Sequence, residues 1–140
     1  MNIMENAVRK LENLKIWQLS RTLVADIYRT LSSCRDYGFK DQIQRAAVSI
    51  MNNIAEGFEA GSDATFIRYL NISKGSCSEV KSMLYLCSDL NYCNEETRLK
   101  LQSDIANIIS GIYSLIKYLE TNKRKKQQST AETMTTDHGL

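Results

Sequence analysis

From Phe66 to Cys87 the chain sets Phe66, Leu70, Ser73, Cys77, Val80, Leu84 and Cys87 at alternating steps of four and three residues. That rhythm keeps small and apolar side chains on one line of an α-helix and fits no strand, whose faces repeat every second residue. The run predicts a helix about six turns long with a seam of coiled-coil type. One such helix leaves its seam in water, so the chain has to supply partners. Leu101, Ile105, Ile108, Ile112, Leu115 and Leu119 repeat the device, with Ile109 and Ile116 widening the apolar face. Two more stripes precede these. Leu14, Trp17, Val24, Ile27, Tyr28 and Leu31 predict a first helix over about 14–31, and Ile43, Ala46, Ala47, Ile50, Ile54 and Phe58 a second over about 41–58.

The breaks fall where four rods need them. Ser32, Ser33 and Gly38 mark a loop, with Asp41 as the expected cap of the second helix. Gly61 suits a left-handed helix end, and Ser62 and Asn94 suit the first residues of the helices that follow. Proline is absent and glycine numbers only six in 140 residues, which removes the strongest helix breaker and disfavours a turn-rich β fold. The expected fold is all-α, an antiparallel up-down-up-down four-helix bundle formed by residues 1–122. Beyond Asn122 the apolar pattern stops, and residues 123–140 read as a basic, then polar, disordered tail.

Charge says little about the body. The chain carries 18 Lys and Arg against 16 Asp and Glu. The tail holds four and two of these, which leaves fourteen of each before Lys123. The excess positive charge therefore sits in Lys123-Arg124-Lys125-Lys126. There is no apolar run long enough to span a bilayer and no signal-like start. With cysteines that show no disulfide or zinc spacing, this points to a cytoplasmic protein.

Catalytic machinery is not visible. The single histidine, His138, lies in the tail, so no serine or cysteine of the body has an imidazole base, and neither phosphate-loop signature occurs. Cys77 and Cys87 fall on the apolar seam as small hydrophobes, and Cys34 and Cys93 form no CxxC pair. No enzyme activity, cofactor or metal is expected. A second, polar line runs along the second helix: Gln42, Arg45, Ser49, Asn53 and Glu56, with Ser76 and Glu79 beside the seam of the third. Such a line can be plain solvated surface. It can instead fix register between helices, for example through an Arg45–Glu79 ion pair, or face a ligand or partner. Gly75 sits mid-helix, where glycine costs about 1 kcal/mol against alanine. It marks either close approach of another backbone or simple tolerance. Candidate phosphate contacts are Arg9, Lys10, Lys15, Arg21 and Arg29, plus Lys123, Arg124, Lys125 and Lys126. Spacing allows Arg21 and Arg29 to share a face.

At the second helix the sequence resembles a known family. Gln42-Ile43-Gln44-Arg45-Ala46-Ala47-Val48-Ser49-Ile50, followed by Asn53-Ile54-Ala55-Glu56-Gly57, is similar to the signature of the bacterial four-helix bundle proteins. These are the 23S rRNA intervening-sequence protein family, first noticed inside large-subunit ribosomal RNA genes. Lys74-Gly75-Ser76 with Glu79 resembles the family's Gly-Ser-x-x-Glu motif, and Leu14 to Trp17 resembles its opening helix. The likeness runs from about Leu11 to Leu119; unlike many members, this chain has no proline before the second helix. The resemblance implies a homo-oligomer, commonly a pentameric ring, and a link to RNA. Through a related branch, the accessory proteins of diversity-generating retroelements, it also implies a reverse transcriptase and its template RNA as partners.

The leading expectation is thus a non-enzymatic oligomeric scaffold that binds RNA. The alternative is a protein–protein interaction scaffold of the intervening-sequence type without nucleic-acid contact. A small-molecule or metal carrier in the bundle core is a third class, which the apolar stripes do not support.

Overall fold

The computed structural model describes the backbone of residues 10–138, and the side chains in that range apart from those of 123–127 and 134–138. A short 3-10 turn, Leu11–Asn13, leads into four helices: α1 (Lys15–Thr30), α2 (Tyr37–Glu59), α3 (Asp63–Asp89) and α4 (Glu95–His138). No strand occurs among the described residues. Each helix packs on its neighbour in sequence, and α1 closes the bundle against α4.

Cross-helix contacts give the directions. Between α2 and α3, Ser49 meets Ser76, Ser73 meets Ile50, and Phe58 meets Phe66, so one number falls as the other rises. These two helices run in opposite directions. So do α3 and α4, through Tyr85 with Arg98, Lys81 with Gln102, and Lys74 with Tyr113. Gly111 against Ile16 and Lys100 against Asp26 give the same result for α1 and α4.

The α3 seam is buried as its spacing predicts, from Leu70 through Ser73, Cys77, Val80 and Leu84 to Cys87, while Phe66 at its start is half-buried. Leu101, Ile105, Ile108, Ile112, Ile116 and Leu119 of α4 face it, and Ile43, Ala46, Ala47, Ile50 and Ile54 of α2 complete the centre. Each large side chain buried here contributes about 1.5–3 kcal/mol. Ser73 lies in this core because its hydroxyl donates to the Ile50 carbonyl at 2.7 Å, which removes the penalty of a bare polar group.

Three details differ from expectation. The α1 stripe is shifted in its middle: Leu14, Ile27 and Leu31 are buried as expected, but Ile16, Ser20 and Leu23 join them in the core, whereas Trp17 and Val24 are half-buried and Tyr28 is 46% exposed. Ser20 can be buried because its hydroxyl donates to the Ile16 carbonyl at 2.7 Å. Helix α2 begins at Tyr37, with Asp36 and not Asp41 as its cap; Asp36 Oδ1 accepts from the Phe39 amide at 3.2 Å. Phe39 packs edge-on against Tyr92 at 5.3 Å, so a distant ring fixes where α2 starts. The Gly61 and Ser62 assignments agree with the structure: Gly61 adopts φ +81°, and Ser62 accepts from the Thr65 amide at 3.2 Å. Asn94 likewise accepts from the Thr97 amide at 2.8 Å. Of the two readings of Gly75, simple tolerance is the one that fits, for a Cβ built there meets no atom within 4 Å. Third, the backbone does not leave the helix at Asn122 but stays helical to His138. No proline or glycine interrupts that stretch, and Gln128 to Thr133 are exposed.

Candidate assembly face and nucleic-acid interface

The polar line of α2 divides into two parts by depth. Ser49 and Asn53 are half-buried against α3. The Ser49 and Ser76 hydroxyls lie 2.9 Å apart, and Asn53 Nδ2 donates to the Ser49 carbonyl and hydroxyl at 2.8 and 3.0 Å. With Ser73 on Ile50, these bonds fix the register of α2 on α3. Gly57 lets the pair close at its far end, since a Cβ there would lie 2.8 Å from both Phe66 Cδ1 and Tyr69 Cβ.

Gln42, Arg45 and Glu56 of α2 and Gly75 and Glu79 of α3 are exposed instead. The anticipated Arg45–Glu79 ion pair is not formed. Arg45 Nε binds Asp41 Oδ2 at 2.8 Å, one turn back on its own helix, the geometry that an i,i+4 pair reaches at least entropic cost. Glu56 and Glu79 have no side-chain partner among the described residues. Beside them α3 presents a second heptad line. Ile72, Glu79 and Leu86 are seven apart with Leu90 one turn further on, and Ile72, Leu86 and Leu90 are each 44–46% exposed, whereas Ser76 and Met83 beside them are half-buried. Lys74, Lys81 and Tyr85 mark the α4 side of the helix. The exposed line therefore lies on the side away from α4, next to the signature residues.

The cationic residues fall into separate places. Arg21 and Arg29 do line one open groove along α1, together with Trp17, Gln18, Thr22, Ala25 and the acid Glu12 of the preceding turn. The Arg21 guanidinium sits 5.7 Å from the Trp17 ring centre and has no carboxylate partner among the described residues. Arg29 is held by Asp26 at 2.8 Å. Asp26 also accepts from Lys100 Nζ at 2.9 Å, and Lys100 reaches Asp104 at 2.9 Å. Partial burial pushes the Asp26 carboxyl up, but its bonds to Arg29 and Lys100 outweigh that and hold it below the usual value. The same pairs, Asp104 first, raise Lys100. Arg29 and Lys100 are thus committed within the bundle, and Arg21 is the free cation of the groove. Lys10 and Lys15 are exposed. Arg9 and the side chains of Lys123, Arg124, Lys125 and Lys126 lie outside the described residues, although the α4 backbone runs through the four tail positions.

A second cationic groove escaped the sequence analysis. Lys74 of α3 places its ammonium 4.6 Å from the Tyr113 ring centre of α4, and Asn71, Ser114, Lys117 and Glu120 complete the lining. Tyr113 is 58% exposed. Tyr113 and Lys117 are one turn apart beside the α4 stripe, a signal visible in the sequence, but their meeting with Lys74 depends on how α3 and α4 pair.

The two buried thiols do not begin nucleophilic chemistry. Burial pushes the Cys77 and Cys87 thiols up to about 12, far from the thiolate that reacts. Among the described residues no cluster of three His, Cys, Asp or Glu is placed to hold a metal, and no helix is long and apolar enough to cross a membrane.

A bundle of four long helices with part of its polar line turned outward defines the class: an all-helical bundle module. Comparison with known proteins makes this particular: a family model described as 23S rRNA-intervening sequence protein matches residues 12–114, and the chain belongs to that family. It is also similar to the crystal structure of a protein of unknown function from the S23 ribosomal protein family of Bacteroides thetaiotaomicron. Identity is 28%, the match covers 73% of this chain and 98% of that one, and the TM-score is 0.68. No curated protein matches.

Proposed function

We propose that this protein is a non-enzymatic scaffold that assembles with copies of itself through the outer face of α2 and α3 and holds RNA on its cationic surfaces. The observation that carries this reading is the outward placement of Gln42, Arg45, Glu56, Gly75 and Glu79 beside the exposed Ile72–Leu86–Leu90 line. Residues needed only to hold the bundle would point inward, as Ser49, Ser73 and Ser76 do. A surface with apolar side chains seven apart, free acids and an exposed base offers both the burial and the charge complementarity that a second copy requires. RNA then meets Arg21 with Trp17, Lys74 with Tyr113, and the basic run Lys123–Lys126. Repetition around an oligomer multiplies contacts that are individually weak. A pentamer is the expected stoichiometry. In its finer form the reading includes a reverse transcriptase as protein partner, held with its template RNA.

Sedimentation and RNA retention test the two halves separately. The wild type should sediment as an oligomer, and Ile72→Asp with Leu86→Asp should release subunits of unchanged helicity. Association unaffected by those changes would overturn the assembly face. RNA retained at low salt and lost as salt rises supports the second half. Retention that ignores salt would overturn it, and no retention at any salt would leave the protein-only scaffold. Replacing Lys123–Lys126 by alanine should weaken binding; undiminished binding would remove the tail from the interface.

A further inference from the structure

Three of the four thiols gather at one end of the bundle, although they come from separate segments. Cys34 lies between α1 and α2, Cys87 in the last turn of α3, and Cys93 between α3 and α4. The end of α3 explains the meeting of the last two. Asn91 takes the left-handed conformation, φ 60°. The Tyr92 amide then donates to the Cys87 carbonyl at 2.9 Å and the Asn91 amide to the Ser88 carbonyl at 3.1 Å, the paired bonds of a Schellman helix end. This reversal folds the next residue back over the helix it has just left. The Cys93 amide lies 3.4 Å from the same Cys87 carbonyl oxygen, and the Cys87 thiol is near enough to those of Cys93 and Cys34 to be raised by them as well as by burial. The turn is held from outside as well: the Tyr92 hydroxyl donates to Asp36 Oδ2 at 2.7 Å, and the Tyr92 ring packs on Phe39. Cys93 is half-buried, whereas Cys87 is fully buried.

We propose that Cys87 and Cys93 form a dithiol that hydroperoxides oxidise to an intramolecular disulfide across the α3–α4 turn. Cys93 reacts first because it is the member that solvent reaches. Its thiolate sulfur attacks one peroxide oxygen, the S–O bond forms as the O–O bond breaks, and the leaving hydroxide takes a proton to become water. Cys87 sulfur then displaces the hydroxyl from the Cys93 sulfenic acid. The S–S bond forms, the S–O bond breaks, and the Cys87 proton leaves with that hydroxyl as a second water. Two thiols lose two electrons and two protons, and one hydrogen peroxide becomes two waters. Cys87 takes the second role because it is fully buried: peroxide in solvent does not reach it, whereas the Cys93 sulfenic acid forms beside it, and its proton passes to the departing hydroxyl as the S–S bond forms. The helix end already folds Cys93 back onto Cys87, the proximity that a disulfide requires. The product locks a turn that Tyr92 ties to the start of α2.

The test treats native full-length protein with hydrogen peroxide, alkylates the remaining thiols and digests without reduction. Cys87 and Cys93 share the tryptic peptide of residues 82–98. That peptide should appear two hydrogen masses lighter and unalkylated, returning to the doubly alkylated form after reduction. Cys93→Ser, at the half-exposed position, should abolish the lighter peptide while helicity is unchanged, and Cys34→Ser should leave it intact. A Cys34–Cys93 link in the wild type, loss of the product in Cys34→Ser, an exclusively intermolecular product, or no oxidation of this peptide would each overturn the proposal.

Discussion

Gly57 and Gly75 both belong to the signature stretches of α2 and α3, and replacing each with alanine should have opposite consequences. Alanine in a helix interior is worth about 1 kcal/mol over glycine. At Gly75 nothing opposes this gain, because the added Cβ meets no atom within 4 Å. At Gly57 the added Cβ lies 2.8 Å from Phe66 Cδ1, 2.8 Å from Tyr69 Cβ and 3.3 Å from the Phe66 carbonyl oxygen. The Phe66 ring can turn aside, but Tyr69 Cβ and the Phe66 carbonyl move only if α3 moves. Overpacking costs about 1–3 kcal/mol, and with two of the three crowded atoms unable to turn aside the cost falls in the upper part of that range, about 2–3 kcal/mol, so after the helix gain Gly57→Ala should lose about 1–2 kcal/mol. At this chain length that is a fall of roughly 3–8 °C in Tm, against a rise of about 3–4 °C for Gly75→Ala in the dissociated subunit. Thermal unfolding followed by circular dichroism across a dilution series measures both. A neutral or stabilising Gly57→Ala would refute the close α2–α3 approach, and a Gly75→Ala subunit destabilised at every concentration would refute the bare surface at that position.

Further outcomes follow from single bonds. Ser73→Ala removes the buried bond to Ile50 and leaves that carbonyl with its helical partner, so a loss of about 1 kcal/mol is expected, read from the urea midpoint. The hydrogen bond from Tyr92, then the Phe39 amide, hold the Asp36 carboxyl below its ordinary value, and the partners of Asp26 do the same there against its burial. A carboxylate lowered in the folded state contributes stability that is present above its unfolded pKa and lost as pH falls through the folded one. Stability should therefore decline as pH drops below about 4, and Asp36→Asn should blunt that decline. Tyr92 is raised to about 12 by its bond to Asp36, so its contribution is full below the ordinary tyrosine value of about 10 and disappears as pH climbs towards the raised one.

The bundle was legible because spacing is a local property. Every buried residue of the α3 seam from Leu70 to Cys87, and nearly all of the α4 stripe, falls where steps of three and four put it. The α1 stripe misled because two lines of similar spacing share that helix. Counting apolar residues favours Trp17, Val24 and Tyr28, whereas the line actually buried contains Ser20, whose polarity is cancelled by a bond one turn back. Asp36 and Asp41 were equally good caps locally, and the ring of Tyr92, far along the chain, decided between them. The site divided in the same way. The spacing that brings Arg21 and Arg29 to one groove could be read directly, but the Asp26–Lys100 link that commits Arg29 is a tertiary contact. So is the approach of Gly111 to Ile16, where an added Cβ would meet Ile16 Cγ2 at 2.5 Å.

What α3 exposes is more informative than what it buries. Isolated apolar residues on a surface need no explanation. Ile72, Leu86 and Leu90 are not isolated in this sense, for they belong to heptad lines that run alongside the buried seam of the same helix. A helix apolar on two sides fits the assembly proposed above, with one side for its own bundle and one for a second copy. The polar residues divide along the same boundary. Short hydroxyl and amide groups at Ser49, Asn53, Ser73 and Ser76 are satisfied inside the subunit, where a charge would be costly to bury. Glu56 and Glu79 are left outside without a side-chain partner among the described residues, beside an Arg45 whose bond to Asp41 is exposed and easily exchanged. Charges so placed add almost nothing to the stability of one subunit. Their consistent placement around a bare apolar line is what a partner-facing surface needs, since they can choose the partner's orientation while the apolar line supplies the burial.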